Sequence, residues 1–141
     1  MNLMKNKGEK KRVLIVDDES DITAVMKKGL EQDGGFEVDA FNDPEEALAQ
    51  FKPGYYDLLT IDIRMPKMNG FELYRKLQKI DSKPKICFIT AFEMYYDEFK
   101  RVFPSMDVRC FIRKPVSNAD LVRQLNAEFE APPQPRSEAN K

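Results

Sequence analysis

Short apolar runs of this chain end in polar residues of the types that bind cations or phosphate groups. Three acids follow the first run, an acid ends the third, a threonine ends the fourth and a lysine follows the fifth. In chain order these residues are Asp17, Asp18, Glu19, Asp62, Thr90 and Lys114. Ligand sites of open parallel sheets lie at the carboxyl ends of the strands, so the spacing predicts that these side chains gather at one edge.

The chemistry that these residue types support is phosphoryl transfer at a metal site. If the first and third strands are neighbours, Asp17, Asp18 and Asp62 converge, and their like charges repel unless a cation neutralises them. Mg²⁺ is favoured because it takes few carboxylates and keeps several waters, with Mn²⁺ as the alternative. A carboxylate beside such an ion can accept a phosphoryl group, whose charge a lysine and a hydroxyl stabilise. Taken singly, each acid is more typical of a solvated loop or a helix cap.

The composition excludes several other kinds of site. The chain of 141 residues has no histidine, so it has no Ser-His-Asp triad, Cys-His pair, histidine zinc site or phosphohistidine. Its two cysteines, Cys87 and Cys110, stand in or beside apolar runs and form no CxxC motif. We interpret them as two separate buried thiols, which are typical of a reducing cytosol.

Charge and hydropathy narrow the choice of partners and location. The 23 basic and 24 acidic residues give a formal charge of −1. Direct nucleic-acid binding is therefore not expected, because no net attraction to phosphates drives it. No apolar run approaches the ~18 residues that cross a bilayer, and no export signal follows the basic amino terminus. We expect a cytoplasmic protein without membrane insertion.

Five apolar runs alternate with segments of helical period, which predicts a parallel sheet with helices on both faces. The predicted strands are Val13–Val16, Phe36–Phe41, Leu58–Ile61, Lys85–Thr90 and Val108–Ile112. Residues 12–130 contain no break and are expected to form one domain. The basic segment 1–11 and the polar, proline-containing tail 131–141 are expected to be disordered.

Helix starts and inward faces are also readable from the sequence. Ser20, Asp43 and Ser117 are of the types that cap helices. Helical spacing places Val25 on the inward face of the first helix, and Ile80 on that of the helix beginning at Asn69–Gly70. A further helix, rich in aromatic residues, is predicted at Glu93–Phe103.

Four motifs resemble the receiver domain of two-component response regulators, over Arg12 to about Phe129. They are Val13–Glu19, Asp62–Leu73, Ile89–Ala91 and Phe111–Pro115. Each motif alone is weak, whereas the four in this order and spacing are specific. The resemblance implies a flavodoxin-like α/β fold, a three-layer αβα sandwich with a five-stranded parallel sheet of order 2-1-3-4-5.

The resemblance also implies a signalling protein that is not an enzyme beyond its own phosphorylation and dephosphorylation. The phosphoryl donor is then a sensor histidine kinase, a phosphotransfer protein or acetyl phosphate. Asp62 is the expected acceptor. Mg²⁺ is expected to bind Asp18 directly, Asp17 mainly through water, Asp62, and the backbone carbonyl of Arg64. The sequence does not identify the downstream target.

Three further residues have roles implied by the resemblance. Lys114 is expected to pair with the phosphoryl oxygens, and the Lys114–Pro115 bond to be cis. Thr90 is expected to donate its hydroxyl to the phosphate, and Phe111 to swing inward as the threonine moves. From the residues alone, these could equally be a solvated lysine, an ordinary strand threonine and a core phenylalanine.

The chain departs from the family pattern between Ala91 and Lys114. Four aromatic residues there suggest an exposed patch for a partner or a homodimer, or a filled groove against the sheet: Tyr95, Tyr96, Phe99 and Phe103. Arg64 and Phe92 follow Asp62 and Thr90 by two residues, at positions that tune phosphoryl lifetime in the family. A bulky Phe92 is expected to shield the phosphoryl group from water.

Other classes of protein fit the sequence less well. A haloacid-dehalogenase-type phosphohydrolase needs an aspartate as general acid two residues after its nucleophile, where this chain has Arg64. A flavodoxin-like electron carrier needs a phosphate-binding loop where Asp17, Asp18 and Glu19 stand. Within the receiver family, a stand-alone protein is favoured, and a fragment of a longer regulator with a DNA-binding or enzymatic output domain is the alternative.

Overall fold

The computed structural model describes residues 10–91, 101 and 110–130. The strands are β1 (Arg12–Val16), β2 (Glu37–Phe41), β3 (Leu58–Asp62), β4 (Lys85–Thr90) and β5 (Phe111–Arg113). The helices in this part of the chain are α1 (Ser20–Gln32), α2 (Pro44–Ala49), α3 (Gly70–Ile80) and α4 (Asn118–Glu130). None of them is long and apolar enough to cross a membrane.

All five strands run parallel in one sheet of order β2-β1-β3-β4-β5, which confirms the predicted order. Val16 therefore lies between Phe41 and Ile61, its partners on the two neighbouring strands. The register brings the carboxyl ends of β1 and β3 side by side. This pairing decides where the acids that follow these strands are placed.

The two faces of the sheet are covered by different helices. Leu14 and Val16 of β1 pack with α2 and α3, in a cluster around the fully buried Phe88. Val13 and Ile15 point to the other face and pack with α1 and α4. The central strand β3 is buried along its whole length, and Val13–Val16 of β1 are buried on both faces, which is why these runs are almost continuously apolar. The result is the predicted three-layer αβα sandwich.

Several helix details differ from the sequence expectations. Ser20 is the first helical residue and not the cap, because Glu19 takes the N-cap position. Val25 is 58% exposed and Ile80 is 48% exposed, so both predictions of inward-facing side chains were wrong. α1 instead contacts the core through Met26 and Leu30, and Ile80 is the last residue of α3.

Other helix starts have the expected caps. Asp43 accepts a hydrogen bond from the Glu45 N–H at 3.1 Å, and Ser117 accepts one from the Asp120 N–H at 3.1 Å. Asn69 and Glu72 form a reciprocal capping box at the start of α3. These bonds satisfy backbone donors that a helix leaves free in its first turn. They fix where α2, α3 and α4 leave the strand ends.

The interpretation of the cysteines as separate thiols was wrong. Cys87 and Cys110 are both buried, as expected, but they form a disulfide. The register explains this pairing, because Phe88 lies opposite Phe111 and the preceding residues of the two strands are then also opposite each other. Neither cysteine carries a sequence sign of its partner, since 23 residues separate them.

Some predictions fall on residues outside the described part of the chain. They are the disorder of residues 1–9 and 131–141, the helix at Glu93–Phe103 and the start of the fifth strand at Val108. These predictions are not tested by the structure. Within the described residues, β5 is limited to Phe111–Arg113.

We expect Gly70→Ala to lower the free energy of unfolding by about 2 kcal/mol, because a Cβ there has no room. It would collide with the backbone carbonyl of Asp62 and lie 2.9 Å from the Cα of Ile63. Lys28→Ala, at an exposed position inside α1, is the control and should change the free energy of unfolding by less than about 0.5 kcal/mol. Urea denaturation measures both variants. A Gly70→Ala protein as stable as the wild type would contradict the close approach.

Candidate functional site

Three carboxylates meet at the carboxyl ends of β1 and β3. One oxygen from each of Asp17, Asp18 and Asp62 lies within 4.8 Å of the others. Asp17 is completely buried and Asp62 is 4% exposed, while Asp18 is half-buried. The parallel pairing of Val16 with Ile61 produces this convergence, because the residues that follow leave the sheet at the same edge.

Backbone hydrogen bonds hold the turn between β1 and α1. The N–H of Asp17 donates to the carbonyl of Phe41 at 3.1 Å, which extends the β1–β2 ladder by one residue. The Asp17 carboxylate accepts from the N–H of Glu19 at 3.0 Å. Asn42 donates its side-chain amide to the carbonyl of Asp17 at 2.8 Å. Asp17 is therefore fixed on both its backbone and its side chain.

Lys114 extends from the end of β5 across the site to these acids. Its Nζ lies 2.8 Å from Oδ2 of Asp17, 3.2 Å from Oε1 of Glu19 and 3.5 Å from Oδ2 of Asp62. Its backbone N–H donates to the carbonyl of Thr90 at 2.8 Å, which ties the two strand ends together. The Lys114–Pro115 bond is cis, as the family resemblance implies. Lys114 is thus a site residue and not a solvated loop lysine.

The electrostatics of the site raise the pKa values of both Asp62 and Lys114. Burial and the negative charge of Asp17 raise the pKa of Asp62 to about 7, against the opposing effects of Lys114 and a hydrogen bond from the Arg64 N–H. Burial alone would lower the pKa of Lys114. The hydrogen bond to Asp17 and the charge of Asp62 outweigh it, so the pKa of Lys114 rises. The lysine therefore stays protonated beside the acids.

This arrangement fits a hard divalent cation. Asp17, Asp18 and Asp62 offer oxygen donors within 4.8 Å of one another, and oxygen is the donor that Mg²⁺ prefers. Burial, and after it the repulsion from Asp17, raises the pKa of Asp62, and positive charge beside the acids relieves that repulsion. Beside the acids is an open pocket of about 210 Å³. It leaves room for waters and for a further ligand next to Asp62.

The pocket brings together most of the residues singled out in the sequence. Its lining is Asp18, Glu19, Asp62, Arg64, Thr90, Ala91 and Lys114. Thr90 is 5% exposed at the end of β4 and contributes to the pocket wall. Arg64 has an exposed side chain. Phe92 and the four aromatic residues at 95, 96, 99 and 103 lie outside the described residues.

Phe111 lies beside the pocket rather than in it. Its side chain is half-buried, and its ring stacks on the ring of Phe88 with centroids 5.6 Å apart. Phe88 in turn makes edge contacts with the rings of Phe71 and Tyr74. Burial raises the pKa of the Tyr74 hydroxyl to about 12. Among the described rings of this cluster, which reaches from α3 to β5, Phe111 is the least buried.

Sequence reasoning missed one residue that holds the site and one unusual backbone conformation in the loop that follows it. Asn42 follows β2 and holds the Asp17 carbonyl, and its place after a strand was the available signal. Lys67 adopts a left-handed conformation, with φ of 74°, in the loop between Asp62 and α3. Nothing in the sequence marks that position, because lysine has no preference for this region. Glu19 was recognised as part of the acidic motif, but its ion pair with Lys114 was not expected.

The fold and the site define a class of signalling domain, in which an acidic pocket lies at the end of a parallel sheet of this order. The family model for the response regulator receiver domain matches residues 13–126. The chain belongs to this family, whose members act in two-component signalling. This membership excludes the phosphohydrolase and electron-carrier alternatives.

Solved structures support the same assignment. A CheY-like response regulator receiver domain protein from Methanospirillum hungatei JF-1 has a TM-score of 0.75 and 28% identity, covering 94% of this chain and all of that one. The response regulator TrrA from Thermotoga maritima, solved in complex with Mg²⁺ and BeF, has a TM-score of 0.69 and 31% identity. It covers 83% of this chain and 97% of TrrA.

Sequence relatives include long and short response regulators. The transcriptional regulatory protein TrcR of Mycobacterium tuberculosis is 32% identical over 118 residues, which are 84% of this chain and 45% of TrcR. The receiver protein CpdR of Brucella abortus is 38% identical over 82 residues, 58% of this chain and 68% of CpdR. The chain spans about half the length of the transcriptional regulators that it matches.

We expect Asp18→Asn to raise the free energy of unfolding by on the order of 1 kcal/mol in a chelator, because it removes one of three repelling charges. Asp18 is chosen because the other two acids of the cluster, Asp17 and Asp62, form ion pairs with Lys114. Asp33→Asn, an exposed acid at the far end of α1, is the control and should change stability by less than about 0.5 kcal/mol. Urea denaturation in EDTA measures both. An Asp18→Asn protein that is less stable than the wild type would contradict the repulsion.

Proposed function

We propose that this protein is a response regulator receiver that accepts a phosphoryl group on Asp62, with Mg²⁺ bound beside it, in the cytoplasm. The donor is the phosphohistidine of a sensor histidine kinase or of a phosphotransfer protein. The observation that carries the proposal is the position of Asp62. It is the buried carboxylate that faces an open pocket together with Lys114 and Thr90.

The chemistry of transfer follows from this pocket. A carboxylate oxygen of Asp62 attacks phosphorus, the bond from phosphorus to the donor's imidazole nitrogen breaks, and the electron pair leaves with the imidazole. Three phosphoryl oxygens then carry charge that must be stabilised. The Nζ of Lys114 lies 3.5 Å from Oδ2 of Asp62, which is close enough for the ammonium group to form an ion pair with the phosphoryl oxygens instead. The Thr90 hydroxyl, at the wall of the same pocket, donates a hydrogen bond to another oxygen.

Metal binding in the proposed function involves residues on both β1 and β3. Asp18, Asp17 and Asp62 would hold Mg²⁺ together with the backbone carbonyl of Arg64. When bound, Mg²⁺ supplies the positive charge that draws a phosphoryl group into an otherwise acidic pocket. The complex of TrrA with Mg²⁺ and BeF, at 31% identity, supports this part of the proposal.

The output of phosphorylation is proposed to be a shift between two packings at β4 and β5. A threonine hydroxyl that moves toward the phosphoryl group leaves space behind it, and Phe111 is a large, half-buried side chain on the strand that pairs with β4. Phe111 is therefore the proposed switch residue. Such a switch changes the surface around β5 and the last helix without a change of fold.

Two kinds of relative favour two different ways in which the receiver could act beyond its phosphoryl donor. The long relatives named as transcriptional regulators favour a receiver that belongs to a larger regulator, whereas CpdR, named as a receiver protein and covered to 68% of its length, favours a stand-alone receiver. Stand-alone action therefore stays a prediction. The aromatic partner surface at Tyr95, Tyr96, Phe99 and Phe103, a homodimer through it, and lifetime tuning by Arg64 and Phe92 also stay predictions.

We expect incubation with acetyl phosphate to add one phosphoryl group to the wild type, measured by intact mass, and only when Mg²⁺ is present. Asp62→Asn should show no adduct, because an amide cannot act as the nucleophile. Asp57→Asn is the matched control. It changes an aspartate next to the opposite end of β3 and keeps an oxygen that can accept the Arg12 N–H. It should be phosphorylated like the wild type.

Two results would contradict this function. An adduct that persists in Asp62→Asn would place the acceptor elsewhere, and an adduct formed equally in EDTA would remove the metal from the mechanism. If acetyl phosphate gives no adduct, the same comparison is made with a phosphorylated histidine-containing phosphotransfer protein as donor.

A further inference from the structure

The bond between Cys87 and Cys110 takes no part in the proposed phosphoryl chemistry, yet it lies directly beneath the site. It joins β4 to the residue that precedes β5, with the two Cα atoms 4.6 Å apart. This separation is within the range that a disulfide spans without backbone movement. Cys87 is completely buried and Cys110 is 8% exposed. Both side chains belong to the core that α1 and α4 cover.

The strands joined by this bond are the ones that carry the pocket's hydroxyl and lysine. Thr90 follows Cys87 by three residues, and Lys114 follows Cys110 by four. Backbone hydrogen bonds link the same pair of strands both beside the disulfide and at the pocket. The Phe88 N–H donates to the Cys110 carbonyl at 2.9 Å, and the Lys114 N–H donates to the Thr90 carbonyl at 2.8 Å. A covalent bond at the base of these strands therefore restrains the residues at their ends.

β5 is the strand on which such a restraint acts most strongly. It is the last strand in the sheet order and has only three residues. Among the described residues its one strand partner is β4, through three register pairs. Breaking the disulfide leaves β5 attached to the sheet by that short ladder and by its packing.

We propose that Cys87 and Cys110 form a reversible thiol–disulfide couple whose oxidised form holds β4 and β5 in the resting arrangement and slows phosphorylation at Asp62. The proposal rests on the proposed function for its cytoplasmic setting and its output. In the cytosol glutathione keeps most thiols reduced, so a pair placed to bond there is typical of a redox sensor. A chain of this size buries a core that needs no disulfide.

The chemical step is exchange with a low-molecular-weight disulfide such as glutathione disulfide. The Cys110 thiolate, the one with any exposure, attacks a sulfur of the oxidant, and one glutathione thiolate leaves. The Cys87 thiolate then attacks Sγ of Cys110, and the second glutathione leaves. Two protons and two electrons pass from the cysteines to the oxidant, which becomes two thiols. Excess glutathione reverses both steps.

The direction of the effect follows from what the bond holds in place. In the structure with the disulfide formed, Lys114 pairs with Asp17 and Asp62. Phosphorylation requires Lys114 to turn to the new oxygens and Thr90 to approach them. A restraint that favours the resting arrangement opposes these movements. The free-energy cost equals the difference between the restraint's stabilisation of the two arrangements.

The experiment compares reduced and oxidised forms of the full chain. Samples are equilibrated in glutathione buffers that range from fully reducing to fully oxidising. They are then denatured in N-ethylmaleimide, which alkylates free thiols, and their intact mass is measured. We expect two alkyl groups in cytosol-like reducing buffer and none in oxidising buffer, with reversal on adding glutathione. Phosphorylation by acetyl phosphate with Mg²⁺ is expected to be about fivefold slower in the oxidised form, the lower end of common coupling strengths. Hydrogen exchange at the Lys114 and Phe88 amides should slow by a similar factor.

Cys110→Ser is the control and should phosphorylate at one rate in both buffers, equal to that of the reduced wild type. The comparison of two forms of one wild-type chain stands even if this variant does not fold. Three results would overturn the proposal: thiols that never bond in oxidising buffer, a bond that persists in reducing buffer, or equal exchange and phosphorylation in the two forms. If neither form is phosphorylated, the proposed function fails, and alkylation with hydrogen exchange still decides whether the couple exists and restrains β5.

Discussion

The imbalance of charge between one lysine and three carboxylates is the constraint on which the site depends. Lys114 lies 2.8 Å from Asp17 and 3.5 Å from Asp62, but one ammonium group cannot neutralise three acids within 4.8 Å of one another. The pKa of Asp62 rises, first because burial removes water from its carboxylate and second because Asp17 repels its charge. The rest of the fold must therefore offset the unfavourable free energy of this cluster, and here the parallel sheet holds the carboxylates together.

The sheet brings these groups together because parallel strands end at the same edge. Asp17, Asp62 and Lys114 are far apart in the chain, and each follows or ends a different strand. The loop after Asp62 is fixed by the capping box of Asn69 and by the close approach of Gly70 to the Asp62 carbonyl. The rigid parts of the domain thus hold the acids, while the short β5 carries the lysine.

β5 also connects the chemistry of the site to the rest of the surface. Phe111 lies on it, Lys114 follows it, and Cys110 precedes it. The proposed phosphoryl group at its end and the disulfide at its base would act on the same three-residue strand. Two signals that bias one element are necessarily coupled, since each changes the energy of the arrangement that the other favours.

The sequence by itself determined the strands, their parallel class, the acids that follow them and caps such as Asp43, because these depend on local pattern. The family motifs supplied the strand order, which the structure confirms. Tertiary structure decided the exposure of Val25, the ion pair between Glu19 and Lys114 and the bond between Cys87 and Cys110. Each of these depends on the register between strands or on how a helix rotates against the sheet. Periodicity along one segment carries no information about the neighbour that the fold places beside it.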